Sequence, residues 1–162
     1  MTEESLRITS AIEQIDATYE ALMTAAERLA DAFGQEARAI QRKNVTTHVP
    51  IFLTVSQTSP NAKSITWQRM QFFRGVGGQK ATCKPRGIPK GGRGHNYPAS
   101  AFTFIKGSEM RELVRRYERT VAQIREVASD NRTLRRKLLA ELTKAEKLLR
   151  ALDDADDIIR VV

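Results

Sequence analysis

The residues of this sequence that are best placed to do chemistry are positively charged. Between Gln41 and Lys106 there is no aspartate or glutamate, whereas lysine or arginine occurs eleven times, in a chain whose formal net charge is +8. A block of cations without compensating acids predicts a polyanion as partner, because phosphates supply the missing negative charge. The alternative is a solubilising surface, but such surfaces usually mix both signs of charge.

The densest part of this block is the segment from Lys80 to Arg93, where five cations alternate with glycines and prolines. We interpret it as a mobile basic loop that follows the phosphates of a nucleic acid. Its middle also resembles the AT-hook, in which two arginines enter the narrow minor groove of A·T tracts. Arg86 matches the first of these arginines, but Ile88 stands where the second belongs, so both modes remain open.

The predicted nucleic-acid contacts are the basic side chains of this segment, two arginines before it and one tyrosine after it. They are Arg69, Arg74, Lys80, Lys84, Arg86, Lys90, Arg93 and Tyr97. Aromatic rings among these cations offer stacking surfaces for the bases of single strands. For Phe72 and Phe73 we expect burial in the core of a small sheet instead, and less so for Tyr97, which lies in a glycine-rich segment.

Residues that would support catalysis or bind a metal are scarce. The two histidines, His48 and His95, and the single cysteine, Cys83, do not have the spacing of metal ligands. The acid-free segment offers no carboxylate for acid–base catalysis or for magnesium, and its glycine-rich stretches lack the ending of a P-loop. We therefore predict that the protein is not an enzyme and needs neither a metal nor a cofactor.

A long helix is predicted on each side of the acid-free segment. Residues 3–43 carry apolar or small side chains at alternating steps of four and three as far as Phe33, which is a heptad seam. Glu36 occupies the next seam position beside Gly34, a weak point where the helix is expected to bend or end.

The second helix is predicted over residues 108 to about 153. Its seam runs from Tyr117 to Leu152 and is interrupted by two polar residues, Asn131 and Arg135. Such residues either fix the register of a buried seam or lie at the edge of a loose one. The helix ends in an acidic tail.

Between the helices, the sequence predicts a small antiparallel sheet. Apolar and other residues alternate from Val45 to Val55, and residues 64–74 form a second strand that closes a hairpin. Pro50 places the first strand at an edge or breaks it, because proline lacks an N–H. Residues 79–84 are a candidate third strand. Residues 99–106 are compatible with a strand or with an early start of the second helix, which we favour.

The predicted fold class is therefore α+β, with two long antiparallel helices forming a coiled-coil stalk and a small β head inserted between them. We expect a single elongated domain over residues 1–162: a helix over 1–43, the basic head over 44–106, and a long helix with its acidic tail over 107–162. A single cysteine excludes an internal disulfide, and the sequence shows neither a secretory signal nor an apolar run of membrane-spanning length. We therefore expect a cytoplasmic protein without membrane contact.

Two segments give the chain a resemblance to a known family. They are Ser64-Ile-Thr-Trp-Gln-Arg69 and the longer stretch from Ile88 to Phe102, which contains Lys90-Gly-Gly-Arg-Gly-His-Asn-Tyr-Pro-Ala-Ser100. Their order between two helices resembles the MobI-type mobilisation proteins of conjugative plasmids and integrative conjugative elements. The resemblance implies a non-enzymatic accessory factor that binds an origin-of-transfer region and helps a separate relaxase to assemble.

Three functions remain open at this point. The first is a DNA-binding accessory protein, with duplex DNA as the favoured partner. The second is a protein-interaction module, such as a coiled-coil adaptor or a phage-type inhibitor, and the third is an RNA-binding protein.

The predicted helix pairing also predicts the oligomeric state. If the helices fold back around residues 44–106, facing residues have numbers that add to about 150, which places Arg135 beside Asp16. The C-terminal part of the second helix then extends past the N-terminus of the first helix. Leu148, Leu149 and Leu152 lie in this extension and are left without a partner in their own chain. Uncovered leucines of this kind are association sites, and we predict a homodimer through these three residues.

Overall fold

The structure is a computed structural model that describes residues 3–44, 48–75, 77–78, 80, 82–92 and 94–160, except for the side chains of residue 4 and residues 153–160. Two long helices flank a three-stranded antiparallel sheet, which confirms the α+β class; coiled-coil packing of the helices stays a prediction. The elements in chain order are helix α1 (Glu3–Lys43), strands β1 (Ile51–Ser59), β2 (Ala62–Phe73) and β3 (Thr82–Gly87), a 3₁₀ helix (Ala99–Phe102) and helix α2 (Ser108–Arg160). No helix in the described part of the chain is long and apolar enough to span a bilayer.

The sheet has β2 at its centre and β1 and β3 at its edges. β1 and β2 form the predicted hairpin, with Pro60 and Asn61 in the turn. β1 begins only at Ile51, because Pro50 has no N–H to donate, and the Pro50 carbonyl instead accepts a hydrogen bond from the Met70 N–H at 3.1 Å. The predicted start of this strand at Val45 lies outside the described residues.

The third strand lies three residues later in the chain than residues 79–84, where it was predicted. β3 contains Pro85, which an edge strand tolerates because a proline can be placed where no ladder hydrogen bond is needed. The segment from Lys80 to Arg93 is therefore not one basic loop, as the sequence suggested. Its centre is a strand, and Lys84 and Arg86 have the fixed positions of strand residues.

The described chain divides into two compact units. We call residues Leu22–Glu126 the sheet unit, and residues Met1–Ala21 with Val127–Val162 the terminal unit. The core of the sheet unit joins all its layers: the Phe33 ring of α1 meets Trp67 of β2 and Tyr117 of α2 edge to face, with ring centroids 4.9 Å and 5.4 Å apart. Trp67 and Phe33 are completely buried.

In the terminal unit, α1 and α2 are antiparallel with the predicted register. Arg135 Nε donates to Asp16 Oδ1 at 2.6 Å, and the Arg132 guanidinium lies over the Tyr19 ring at 5.8 Å. The residue numbers of each pair add to 151, close to the predicted sum. Arg135, which interrupts the apolar seam of α2, thus forms an ion pair with an acid on the facing helix.

Two local expectations are wrong. α1 does not end near Gly34, because its buried face shifts by one residue there: Ala37 is buried, while Glu36 points outward and binds α2. Residues 99–106 are not an early start of α2. The Ile105 N–H donates to the Phe102 carbonyl at 3.1 Å in a separate tight turn that buries both side chains.

Candidate nucleic-acid interface

The pairing of β2 with β3 gathers positive charge on one face of the sheet. Arg69 lies opposite Arg86, Gln71 opposite Lys84, and Phe73 opposite Thr82. Alternate residues of a strand point to the same side, and directly paired residues share a face. We call this surface the cationic face. It comprises Arg69, Gln71, Phe73, Thr82, Lys84 and Arg86.

The charges of this face lack acidic partners within the described part of the chain. Arg69 and Arg86 are like charges directly opposite each other, an arrangement that destabilises a sheet when nothing neutralises it. Arg69 lies 5.9 Å from the centre of the Phe104 ring, and Arg86 Nη1 donates to Gln71 Oε1 at 3.4 Å. Neither contact removes charge, so an anion bound to this face would relieve the repulsion.

Some other cations of the sheet unit form ion pairs with acids of the two helices. Lys63, on β2, forms an ion pair with Glu27 of α1 at 3.2 Å, and Lys43 pairs with Glu109 at 2.6 Å. Acids of the two helices therefore neutralise these two lysines. Within the described residues, no acid forms an ion pair with Arg69, Lys84 or Arg86 of the cationic face.

The remaining predicted contacts surround this face without belonging to it. Arg74 and Lys80 are exposed in the connection between β2 and β3, and Lys90 is half-buried after β3. Arg93 lies outside the described residues. As nucleic-acid contacts, the cations of the predicted set stay predictions.

The AT-hook interpretation is not supported. Ile88, at the position of the second arginine, is buried, and its N–H donates to the Trp67 carbonyl at 2.9 Å. Arg86 belongs to a paired strand. To enter a minor groove, this segment would have to leave both the sheet and the core.

The aromatic residues are exposed in the opposite order to the expected one. Phe72 and Phe73, assigned to the core from the sequence, are 56% and 44% exposed, whereas Tyr97 is only 7% exposed. A buried ring presents no surface to a base, so we leave Tyr97 out of the proposed contacts. Burial is the main cause that raises the pKa of the Tyr97 hydroxyl, as expected for a side chain in the core.

Tyr97 belongs to a buried polar cluster that the sequence did not predict. Glu118 of α2 accepts hydrogen bonds from Trp67 Nε1 at 2.5 Å and from the Tyr97 backbone N–H at 2.7 Å. Arg125, one further heptad along α2, donates to both Glu118 carboxylate oxygens, at 2.9 and 3.2 Å from Nη1. Its guanidinium also lies 4.8 Å from the centre of the Tyr97 ring.

This cluster fixes the chain on both sides of the cationic face. Arg125 donates from Nε to the Ile65 carbonyl of β2 and from Nη1 to the His95 carbonyl, both at 2.9 Å. One ion pair therefore ties β2, the segment after β3 and helix α2 together. In the sequence, Glu118 and Arg125 are indistinguishable from charged residues on the solvated face of a helix. Only the tertiary structure shows that they form a buried ion pair.

A second polar contact joins the two helices within the sheet unit. The Tyr117 hydroxyl donates to Glu36 Oε1 at 2.6 Å, and Arg116 pairs with the other oxygen of the same carboxylate. The hydrogen bond from Tyr117 is the main cause that lowers the pKa of Glu36, with Arg116 acting in the same direction. Burial, followed by the contact with Glu36, raises the pKa of Tyr117 to about 12.

Comparison with known proteins shows a family to which this chain is similar. A family model described as MobI protein matches residues 22–139, most of the 162-residue chain and both segments on which the sequence resemblance rests. Neither curated proteins nor solved structures give a significant match.

Proposed function

The chain belongs to the MobI protein family and is thus a mobilisation-related protein, and we propose that it is a DNA-binding accessory factor in conjugative transfer. In this proposal it binds an origin-of-transfer region, with duplex DNA as the main partner, and helps a separate relaxase to assemble there. It carries out no enzymatic step of its own.

The observation that carries the proposal is the opposed pair Arg69 and Arg86. Their two guanidinium groups lie on neighbouring strands, next to Lys84, and none of the three cations has an acidic partner among the described residues. A phosphate backbone would neutralise this surface. Arginine suits this role because its planar group donates two parallel hydrogen bonds to phosphate oxygens. Arg74, Lys80 and Lys90 extend the positive charge beyond the face.

The non-enzymatic part of the proposal rests on the chemistry of this surface. The cationic face presents guanidinium, ammonium, amide, hydroxyl and phenyl groups, none of which serves as a general base near neutral pH. The nearby carboxylate of Glu118 is buried and accepts five hydrogen bonds.

Salt-dependent DNA binding tests the proposal. We expect the affinity of the intact protein for a labelled duplex, measured by fluorescence anisotropy, to fall steeply as salt rises. The triple variant Arg69→Ala, Lys84→Ala, Arg86→Ala should bind more weakly, and its log–log salt slope should be shallower by about 3, since each lost phosphate contact removes about 0.9.

A matched control removes the same charge elsewhere. Lys137, Lys147 and Arg150 are exposed on α2, and their triple alanine variant should keep nearly the full slope. Equal losses in the two triple variants would mean that net charge, and not the cationic face, drives binding. An affinity of the intact protein for the duplex that does not change with salt concentration would refute the proposal.

We also propose that the protein is a homodimer. In the terminal unit, the exposed apolar residues Val127 and Leu134 lie seven positions apart on α2, and Leu148 and Leu152 lie one turn apart further along, beyond Glu141. Exposed apolar side chains of this kind are the surface with which one helix packs against another. Two cationic faces on one dimer would bind one DNA more tightly by effective concentration.

A further inference from the structure

Phe72 and Phe73 are adjacent and similarly exposed, but they lie on opposite faces of β2. Phe73 shares the cationic face, opposite Thr82, whereas Phe72 lies opposite Cys83 on the other side. Phe72 also has an aromatic neighbour there, because the His48 ring meets it edge to face at 4.5 Å. The two rings therefore meet different chemical surroundings.

Phe73 is the only aromatic ring among the six side chains of the cationic face. Lys84, opposite Gln71, is its diagonal neighbour on β3, a separation of about 7–8 Å between Cα atoms. Arg69 lies four residues back along β2, roughly 13 Å away at the rise of a strand. An exposed ring is thus flanked by unneutralised cations on the surface where phosphates are proposed to bind.

We propose that Phe73 stacks on an unpaired base of DNA while Lys84 and Arg86 hold the phosphates next to it, an inference that rests on the proposed DNA-binding function. A phenyl ring on a basic groove or sheet is the usual platform for single strands, because every base offers a π face regardless of sequence. Within a duplex these faces are covered by neighbouring base pairs. The ring therefore gains a partner only where the strands are separated.

Charge favours DNA over the same face of a second copy as the occupant of this ring. A symmetric contact between two copies would place Lys84 and Arg86 against the same cations of the other copy, which is unfavourable, whereas a phosphate backbone neutralises them. The face around Phe72, by contrast, is uncharged at its paired positions Gln68, Met70, Cys83 and Pro85. Among the paired positions of β2 and β3, a ring and cations occur together only on the cationic face.

The test compares two DNA substrates of equal length and charge: a fully paired duplex, and the same duplex with a short internal unpaired segment. We expect the intact protein to bind the second about tenfold more tightly, a typical contribution of one stacked base. Phe73→Leu should lose this preference, so that the two substrates are bound with nearly equal affinity. Phe73→Tyr should keep the preference, because the ring is retained.

Phe72→Leu is the matched control, since it removes an equally exposed ring from the opposite face, and it should keep the preference. Fluorescence of the single, buried Trp67 checks that every variant is folded. Equal binding of both substrates by the intact protein, or a preference that Phe72→Leu removes and Phe73→Leu does not, would overturn the inference alone. Failure of the intact protein to bind either substrate would overturn the proposed function with it.

Discussion

At the scale of single residues, the sheet unit depends on one buried carboxylate. Glu118 accepts hydrogen bonds from the indole of Trp67, the backbone of Tyr97 and the guanidinium of Arg125. A buried ion pair gains little over apolar packing, but removal of one partner leaves the other charged and unpaired. The cost of a change at Glu118 therefore exceeds the value of any one of its hydrogen bonds.

The variant Glu118→Gln tests this role with almost no change in shape. The amide NH₂ of the glutamine is a donor and would face N–H donors that the Glu118 carboxylate accepts, and Arg125 would lose its counterion. We expect the free energy of unfolding to fall by about 3–5 kcal/mol, measured by urea denaturation with Trp67 fluorescence. Glu126→Gln, an exposed position in the same helix, is the control; equal effects of the two variants would contradict a special role for Glu118.

The contact between Tyr117 and Glu36 makes a pH-dependent contribution. Because the pKa of Glu36 is lowered in the folded protein, the associated stability is present above its ordinary pKa of about 4.5 and is lost as the pH falls through the lowered value. We expect Tyr117→Phe to be less stable than the unchanged protein by about 1 kcal/mol near pH 7. The difference should shrink as the pH falls below 4.5 and through the lowered pKa of Glu36, in urea titrations at a series of pH values. A constant difference between the two proteins would show that the hydroxyl does not act through the Glu36 charge.

At the scale of elements, periodicity predicts what local sequence determines. The helix α1 (Glu3–Lys43) has the predicted limits because apolar residues recur along its whole length, with a shift of one residue near Gly34. The β1–β2 hairpin follows from alternation around a Pro-Asn turn. The register between the helices follows from the length of the inserted segment, so Asp16 and Arg135 meet as predicted.

Burial within the sheet could not be predicted in the same way. Alternation tells which β2 residues share a face, but not how far along β2 that face is covered. Trp67 lies where α1 and α2 contribute Phe33 and Glu118, and Phe73 lies beyond them at the end of the strand. The cationic face likewise requires the pairing of Arg69 with Arg86, seventeen positions apart, which depends on β3 being a strand and not a loop.

At the scale of the whole molecule, the C-terminal part of α2 exposes two leucine side chains. Given the register of Asp16 with Arg135, Leu148 lies level with the first residues of α1, and Leu152 lies beyond them. Their exposed fractions are 63% and 55%, against a half-buried Leu149. Leu148 and Leu152, one helical turn apart, thus form the exposed part of the predicted dimer contact.

The variant Leu148→Asp with Leu152→Asp tests whether a second copy covers this end. Each leucine buried in an interface contributes about 1.5–3 kcal/mol, and the double change removes two leucines from each of the two copies. We expect light scattering to give a dimer for the intact chain and a monomer for the double variant. The control Leu139→Asp changes an exposed leucine on another side of the same helix and should leave the dimer intact. An intact chain that is monomeric would exclude the dimer, and a dimer that survives the double change would place its interface elsewhere.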